Sequence, residues 1–188
     1  YAWIIPKGGG VANVGLGMRL SHFRRNGRIS IGDYFEHFLK KHPVASKRVA
    51  KAHVEAFSAK IVPVGGRVRQ ICRNGILLAG DAAGLVMAIN GSGIPTAMIS
   101  GLVAGNVASL FLLKNLGLES YERSLNGEVG DAIRAGLSYR RVSDILMRSD
   151  KIFEAILRAI GNAGVARVLT CKTSLLTKLF GRLLRIQE

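Results

Sequence analysis

Gly80-Asp81-Ala82-Ala83-Gly84, set directly behind the apolar run Gly75-Ile76-Leu77-Leu78-Ala79, decides how this chain reads. The pattern predicts a short strand that delivers Asp81 into a turn of small residues. Gly and Ala let a large flat ligand approach the backbone, and the Asp carboxylate accepts hydrogen bonds from ribityl or ribose hydroxyls. That combination suits a flavin nucleotide. The competing reading is an Asp that caps a helix and binds nothing.

Downstream, Asn90-Gly91-Ser92-Gly93-Ile94-Pro95 leads into an uncharged stretch that runs to Leu113. Glycines followed at once by Pro mark a helix N-terminus with outward N–H groups, which carries roughly half a positive charge and attracts anions. A reduced flavin ring is anionic along its pyrimidine edge. Gly80, Asp81 and Ala82 on one side, and Gly91, Ser92, Gly93 and Ile94 on the other, are therefore candidate contacts to two ends of one cofactor. The helix has a rival interpretation, because its length, lack of charge and Gly101 to Gly105 spacing also suit a transmembrane segment. Ser92, Pro95, Thr96, Ser100, Asn106 and Ser109 interrupt it, and a buried helix on a nucleotide-binding sheet is the expectation.

Residues 80–101, GDAAGLVMAINGSGIPTAMISG, resemble the second flavin fingerprint of the geranylgeranyl reductase family, flavoproteins of the p-hydroxybenzoate hydroxylase type. The opening Tyr1-Ala2-Trp3-Ile4-Ile5-Pro6-Lys7-Gly8 resembles the YxWxFPKG signature of that family, with Ile5 where Phe is usual. The resemblance covers residues 1 to 115 well and the rest loosely. It implies FAD as cofactor and reduction of isoprenoid double bonds in archaeal-type membrane lipids or in chlorophyll and tocopherol precursors. It also implies that Tyr1, Trp3, Pro6, Lys7 and Gly8 border the site of a prenyl lipid substrate. For Tyr1 and Trp3, which share a strand face, the alternative is core packing; for Lys7 it is a solvated turn. The GxGxxG segment expected to hold the ADP part of FAD is not found: Gly8-Gly9-Gly10 lacks the spacing and Gly15-Leu16-Gly17 continues into Leu20. The chain accordingly reads as the C-terminal part of a longer protein. Half a cofactor site is expected to bind FAD poorly by itself and to be inactive alone.

At 188 residues and 48% apolar composition the chain is large enough for a real core. Cys72 and Cys171 are far apart and no CxxC, HExxH or GxSxG occurs, so neither a disulfide framework, a metal centre nor a hydrolytic triad is expected. No catalytic proton donor is named by the sequence. A net charge of +15 asks for an acidic partner. Scarce aromatics and missing zinc-finger, RNP or basic-zipper patterns argue against nucleic acid. An anionic membrane surface fits better, because a helix over 173–186 would set Leu175, Leu176, Leu179, Phe180, Leu183 and Leu184 opposite Lys178, Arg182 and Arg185. An ordinary surface helix packing its Leu face on the core is equally compatible.

The expected architecture is α+β, the C-terminal part of an α/β FAD-binding fold. Residues 1–62 belong to a substrate-binding domain, 63–115 to the returning segment of the FAD domain, and 116–188 to a helical region. Strands are expected over 3–6 and 11–19, helices over 30–41 and 45–57, and a strand over 60–64. Strands over 68–72 and 76–79 would flank an Asn74-Gly75 hairpin turn, followed by a helix over 94–113 and three or four more. The expected setting is cytoplasmic and peripheral at the membrane, with the electron donor (NAD(P)H, ferredoxin or another) open. Two other functions stay open: a monooxygenase of the same fold, and a basic interaction module without activity.

Overall fold

The computed structural model describes residues 1–20 and 30–171. The expected basic helix over 173–186 lies outside the described residues. The chain forms two compact units, Tyr1–Ala59 and Lys60–Glu188. Small antiparallel sheets combine with several helices, an α+β composition.

The first unit opens on an antiparallel hairpin, β1 (Ala2–Gly8) and β2 (Val11–Leu16), paired from Ala2 opposite Leu16 to Gly8 opposite Val11. Gly8, Gly9 and Gly10 all have positive φ, so the turn is a three-glycine reversal with a bulge at Lys7. β2 stops at Leu16, three residues short of the expected end, after Gly15 and within reach of Gly17, both poor strand formers. Helix α1 (Ile31–Lys41) follows with the capping box that Ser30 and Asp33 predict: the Ser30 hydroxyl accepts from Asp33 N at 3.1 Å, and the Asp33 carboxylate accepts from Ser30 N at 2.6 Å. Those bonds hold the Asp33 carboxyl below the usual range. The helix ends where His42 turns extended ahead of Pro43.

Two expectations fail in the next stretch. The helix expected over 45–57 is only α2 (Ala45–Arg48), one turn. Its N-cap residue Val44 supplies no side-chain cap, His42 Nδ1 accepts from Val44 N and Ala45 N at 3.3 Å, and only Ala45 is buried, too little burial to carry the helix further. Residues 51–62 run on without regular structure and fully exposed, and the strand expected over 60–64 is absent because no described residue pairs with it.

In the second unit, β3 (Cys72–Arg73) and β4 (Ile76–Leu77) form a two-residue ladder around Asn74 and Gly75. Both turn residues have positive φ, as a tight hairpin requires, but the strands are shorter than the expected 68–72 and 76–79. One further bond, Leu78 N to Ile71 O at 2.8 Å, extends the pairing. A 3₁₀ turn (Gly80–Ala83) and a loop lead to α3 (Ile94–Lys114), which ends on Asn115 in the left-handed region. Helix α4 (Ser120–Leu125) passes through a π turn (Asn126–Gly130) into α5 (Asp131–Leu146), and α6 (Asp150–Leu169) is interrupted at Gly161, whose φ is +60°.

The core gathers Ile71, Ala83, Leu85, Val107, Tyr121, Leu125, Val129 and Ile133. Tyr121 is fully buried, and its hydroxyl donates to Leu78 O at 2.7 Å, so the largest core side chain also satisfies its one polar atom. This core lies directly behind the 3₁₀ turn and holds it in place. α3, expected as a buried helix, gives one face to it: Val107 joins the core with Ile99, Val103 and Ala104 packed against it, Thr96 and Ser100 are buried on the same side, and Gly101, Leu102 and Gly105 are exposed.

Candidate functional site

The Gly80–Ala83 turn is built by backbone geometry that excludes side chains at both ends. Gly80 has φ +55° and Gly84 φ +68°, the left-handed region that favours glycine. A Cβ on Gly84 would sit 2.3 Å from the Gly66 carbonyl oxygen, and one on Gly80 would sit 3.2 Å from the Ala97 Cβ. Gly84 N donates to Asp81 O at 2.9 Å and Leu85 N to Gly80 O at 3.1 Å, closing the turn on itself.

Two hydroxyls from α3 tie the turn to the helix. Gly80 N donates to Ser100 Oγ at 2.9 Å, and the Thr96 hydroxyl donates to Leu85 O. Both hydroxyl residues are buried, so each satisfies a backbone group that water cannot reach. Sequence reasoning treated Thr96 and Ser100 only as interruptions of an apolar helix. Their spacing of four, which puts both on one helix face, was the available signal.

Asp81 is exposed, and its carboxylate lies over the start of α3: a Cβ placed on Gly93 would be 3.0 Å from Asp81 Oδ1. The fold thus brings Asp81 beside Gly93, residues that are twelve apart in sequence. The Gly91 to Gly93 approach is shaped by its own bonds: Gly91 N to Met87 O and Met87 N to Ser92 O, both 2.8 Å, and Ser92 N to Asn90 Oδ1 at 2.9 Å. Gly93 is the N-cap of α3, with no side-chain cap, Pro95 in the first turn and no acidic residue there. The first-turn N–H groups consequently have no intrahelical acceptor, and the positive end of the helix is not neutralised from within. Ala82 is exposed beside Asp81, whereas Ala83 is buried in the core. An exposed carboxylate acceptor, an uncapped helix N-terminus and glycines in between meet the needs of the ribityl and pyrimidine parts of FAD. The residues present fit that part of the cofactor.

The hairpin of the first unit carries the other set of candidates. Trp3 faces Gly15 across the strands, and Gly17 N donates to Tyr1 O at 2.8 Å. A Cβ on Gly15 would fall 2.1 Å from the Trp3 ring, and one on Gly17 would fall 3.3 Å from the Tyr1 ring. The two rings lie 5.6 Å apart and tilted by 38°, each over a glycine. The indole N–H of Trp3 donates to Asn13 Oδ1 at 2.6 Å. Tyr1 remains 68% exposed and Ile5 50%, so this is an open apolar shelf rather than a closed core. Pro6, Lys7 and Gly8 are exposed at its end, with Lys7 at the bulge.

Other features lie apart from these. One cleft of the second unit is lined by Arg67, Leu85, Asn126, Ile133 and Arg134, and it does not include Asp81. Burial pushes the Cys72 and Cys171 thiols up. Among the described residues no group of three or more His, Cys, Asp or Glu is placed to hold a metal ion.

Residues 1–61, which include the aromatic shelf, match the geranylgeranyl reductase catalytic domain. The chain is 34% identical over 188 residues to digeranylgeranylglycerophospholipid reductase of Methanocaldococcus jannaschii, covering 94% of this chain and 46% of that protein. It is 30% identical over 190 residues to digeranylgeranylglycerophospholipid reductase 2 of Methanothermobacter thermautotrophicus, covering 99% of this chain and 46% of that protein. A third relative, digeranylgeranylglycerophospholipid reductase 2 of Methanopyrus kandleri, is 39% identical over 109 residues, 58% of this chain and 27% of its own length. The chain spans about half the length of the first two relatives. No solved structure matches it. With the catalytic-domain match over the hairpin and relatives aligned through the Gly80 turn to the far end, the chain belongs to the geranylgeranyl reductase family.

Proposed function

We propose that this chain is the C-terminal portion of an FAD-dependent reductase that saturates C=C bonds of geranylgeranyl chains during assembly of archaeal-type membrane lipids. The observation that carries the reading is the Asp81 carboxylate resting against Gly93 at the uncapped start of α3, in a chain whose first 61 residues match the reductase catalytic domain. The substrate class is taken from the names of the relatives.

Bound FAD would supply the reducing electron pair for the alkene. Asp81 would accept hydrogen bonds from the ribityl hydroxyls, with Gly80 and Ala82 keeping the backbone around it clear. Gly91 and Ser92, whose N–H groups are held by Met87 O and Asn90 Oδ1, would shape the approach, and the N–H groups of Gly93 and Ile94 at the start of α3 would face negative charge on the ring, favouring its reduced form. Tyr1 and Trp3 would offer an apolar shelf to the prenyl chain, where each buried methylene contributes about 0.8 kcal/mol. Pro6, Lys7 and Gly8 would border the end of that shelf. The surplus of positive charge suits a peripheral position on an anionic membrane, where such a lipid resides.

The test is a titration with FAD of this chain mixed with the portion of a curated relative that lies outside the match. Uptake of flavin with a shifted visible band is expected, weakened at least tenfold by Asp81→Ala. A mixture that stays colourless overturns the flavin reading. Where flavin is taken up, chemical reduction followed by consumption of geranylgeranyl double bonds identifies the reductase; oxygen uptake without alkene saturation identifies a monooxygenase instead.

A further inference from the structure

The cleft of the second unit takes no part in the flavin turn, and its lining is chemically one-sided. Leu85, Leu125, Val129 and Ile133 are buried and make it apolar, with partly buried Leu137 beside them. Its polar lining is Arg67, Asn126 and Arg134, and no carboxylate lines it. The volume is about 160 Å³, against roughly 30 Å³ for one water in the liquid and about 300 Å³ or more for a site that encloses a drug-sized ligand. One oxyanion with a few carbons fits, and a prenyl chain does not.

The helical wall departs from α geometry where the polar groups meet. Between α4 and α5 the chain takes the π turn Asn126–Gly130, a rare form found frequently at functional sites. A Cβ on Gly130 would lie 3.2 Å from Arg134 Nη1 and 3.3 Å from Asn126 Oδ1, so the guanidinium and the carboxamide gather over a glycine. Arg67 reaches the same cleft from the loop before β3. Its Nη1 is buried without a hydrogen-bond partner among the described residues. Glu122 stands 3.4 Å from that nitrogen, and its other oxygen accepts from Ile71 N. A buried guanidinium N–H without an acceptor is costly, and an oxyanion in the cleft supplies one. Arg134 is committed no more firmly, because its partner Asp131 is 83% exposed and such surface pairs contribute little.

We infer that this cleft is a binding site for a phosphate monoester of an aliphatic group, with Arg67, Asn126 and Arg134 on the phosphate and the apolar lining against its first carbons. Two guanidiniums on separate elements favour a tetrahedral dianion, whose oxygens meet both, over a carboxylate, which fills one fork. The apolar lining calls for carbon on the phosphate, since bare phosphate would leave it wet. The ester belongs either to a soluble compound or to a lipid headgroup. Neither the family nor FAD enters into this assignment.

Titration of the full chain with monobutyl phosphate, followed by phosphorus NMR, tests it. Saturable binding is expected, at least tenfold tighter than for monomethyl phosphate, since each methylene laid on apolar surface strengthens binding about fourfold. Arg134→Gln and Arg67→Gln should each weaken it about tenfold or more. Arg158→Gln removes the same charge from the exposed Arg158–Glu154 pair of α6 and should leave it unchanged. Gly130→Ala sits at a helical φ of −58° and keeps the circular dichroism of the chain, while its methyl drives Arg134 and Asn126 aside and weakens binding. Three results overturn the inference: no saturation, equal affinity for the methyl and butyl esters, or an Arg158→Gln loss as large as that of Arg134→Gln, which means attraction to bulk charge. Given binding of the butyl ester, phosphatidylcholine vesicles with and without phosphatidic acid identify the source. Sedimentation with phosphatidic acid that Arg134→Gln abolishes and monobutyl phosphate reverses assigns a lipid headgroup; vesicle binding indifferent to both assigns a soluble ester.

Discussion

Glycine does opposite work in the two units. In the hairpin, Gly15 and Gly17 make room that the chain fills itself, with the rings of Trp3 and Tyr1 laid across them. In the Gly80–Ala83 turn, Gly80 and Gly84 make room for neighbouring backbone, and Gly93 leaves space in front of an exposed carboxylate. The first arrangement rests on side-chain contact at an exposed surface. The second rests on backbone geometry fixed by buried hydrogen bonds. Ring contacts on an open shelf yield easily, whereas a turn held by φ values and buried donors tolerates almost no change.

The sharpest way to break that contrast is Gly84→Ala. The substitution forces an L side chain into φ +68° and drives its Cβ to 2.3 Å from the Gly66 carbonyl, so the backbone must move. A loss of about 3 kcal/mol or more is expected in chemical denaturation of the second unit. Retention of full stability would mean that the turn is looser than its contacts imply.

Ser100→Ala is intermediate. It strands the buried Gly80 N–H without its 2.9 Å acceptor, at a cost of about 1–3 kcal/mol. Amide exchange at Gly80 is the direct measurement, and it should speed up while exchange in β1 and β2 stays as it was.

Gly15→Ala is the mildest. The new methyl displaces the Trp3 ring, which is free to swing outward, and the 2.6 Å bond to Asn13 is lost. The expected loss is about 1 kcal/mol. Trp3 is the only tryptophan, so its emission should shift to the red without interference. A silent spectrum would show that the ring does not rest on Gly15.

Much of this was legible in the chain. Asn74-Gly75 between apolar residues gave the hairpin turn, Ser30 and Asp33 the cap of α1, and the glycines around Pro95 the start of α3. Local chemistry was enough in those places, because turn type and capping depend on a few adjacent residues. What could not be read were elements whose formation depends on partners distant in sequence. The 45–57 segment has helix-forming composition but buries only Ala45, so one turn survives. The 60–64 segment carries three β-branched residues, Ile61, Val62 and Val64, yet a strand exists only where another pairs with it. In the candidate site the identity of Asp81 and the Gly91 to Ile94 segment was visible, but the fastening of the turn by Thr96 and Ser100 was not. Both looked like flaws in an apolar helix until the backbone groups they satisfy came into view.

The two left-handed glycines that bracket Asp81 also divide the labour between folding and recognition at neighbouring positions. Gly80 and Gly84 are fixed by sterics, so almost any substitution there is paid for in the integrity of the fold. Asp81, between them, faces solvent and supports no buried contact. Its side chain can be exchanged without disturbing the frame that presents it, so a change in binding after substitution at Asp81 reports recognition, whereas one at Gly80 or Gly84 reports folding.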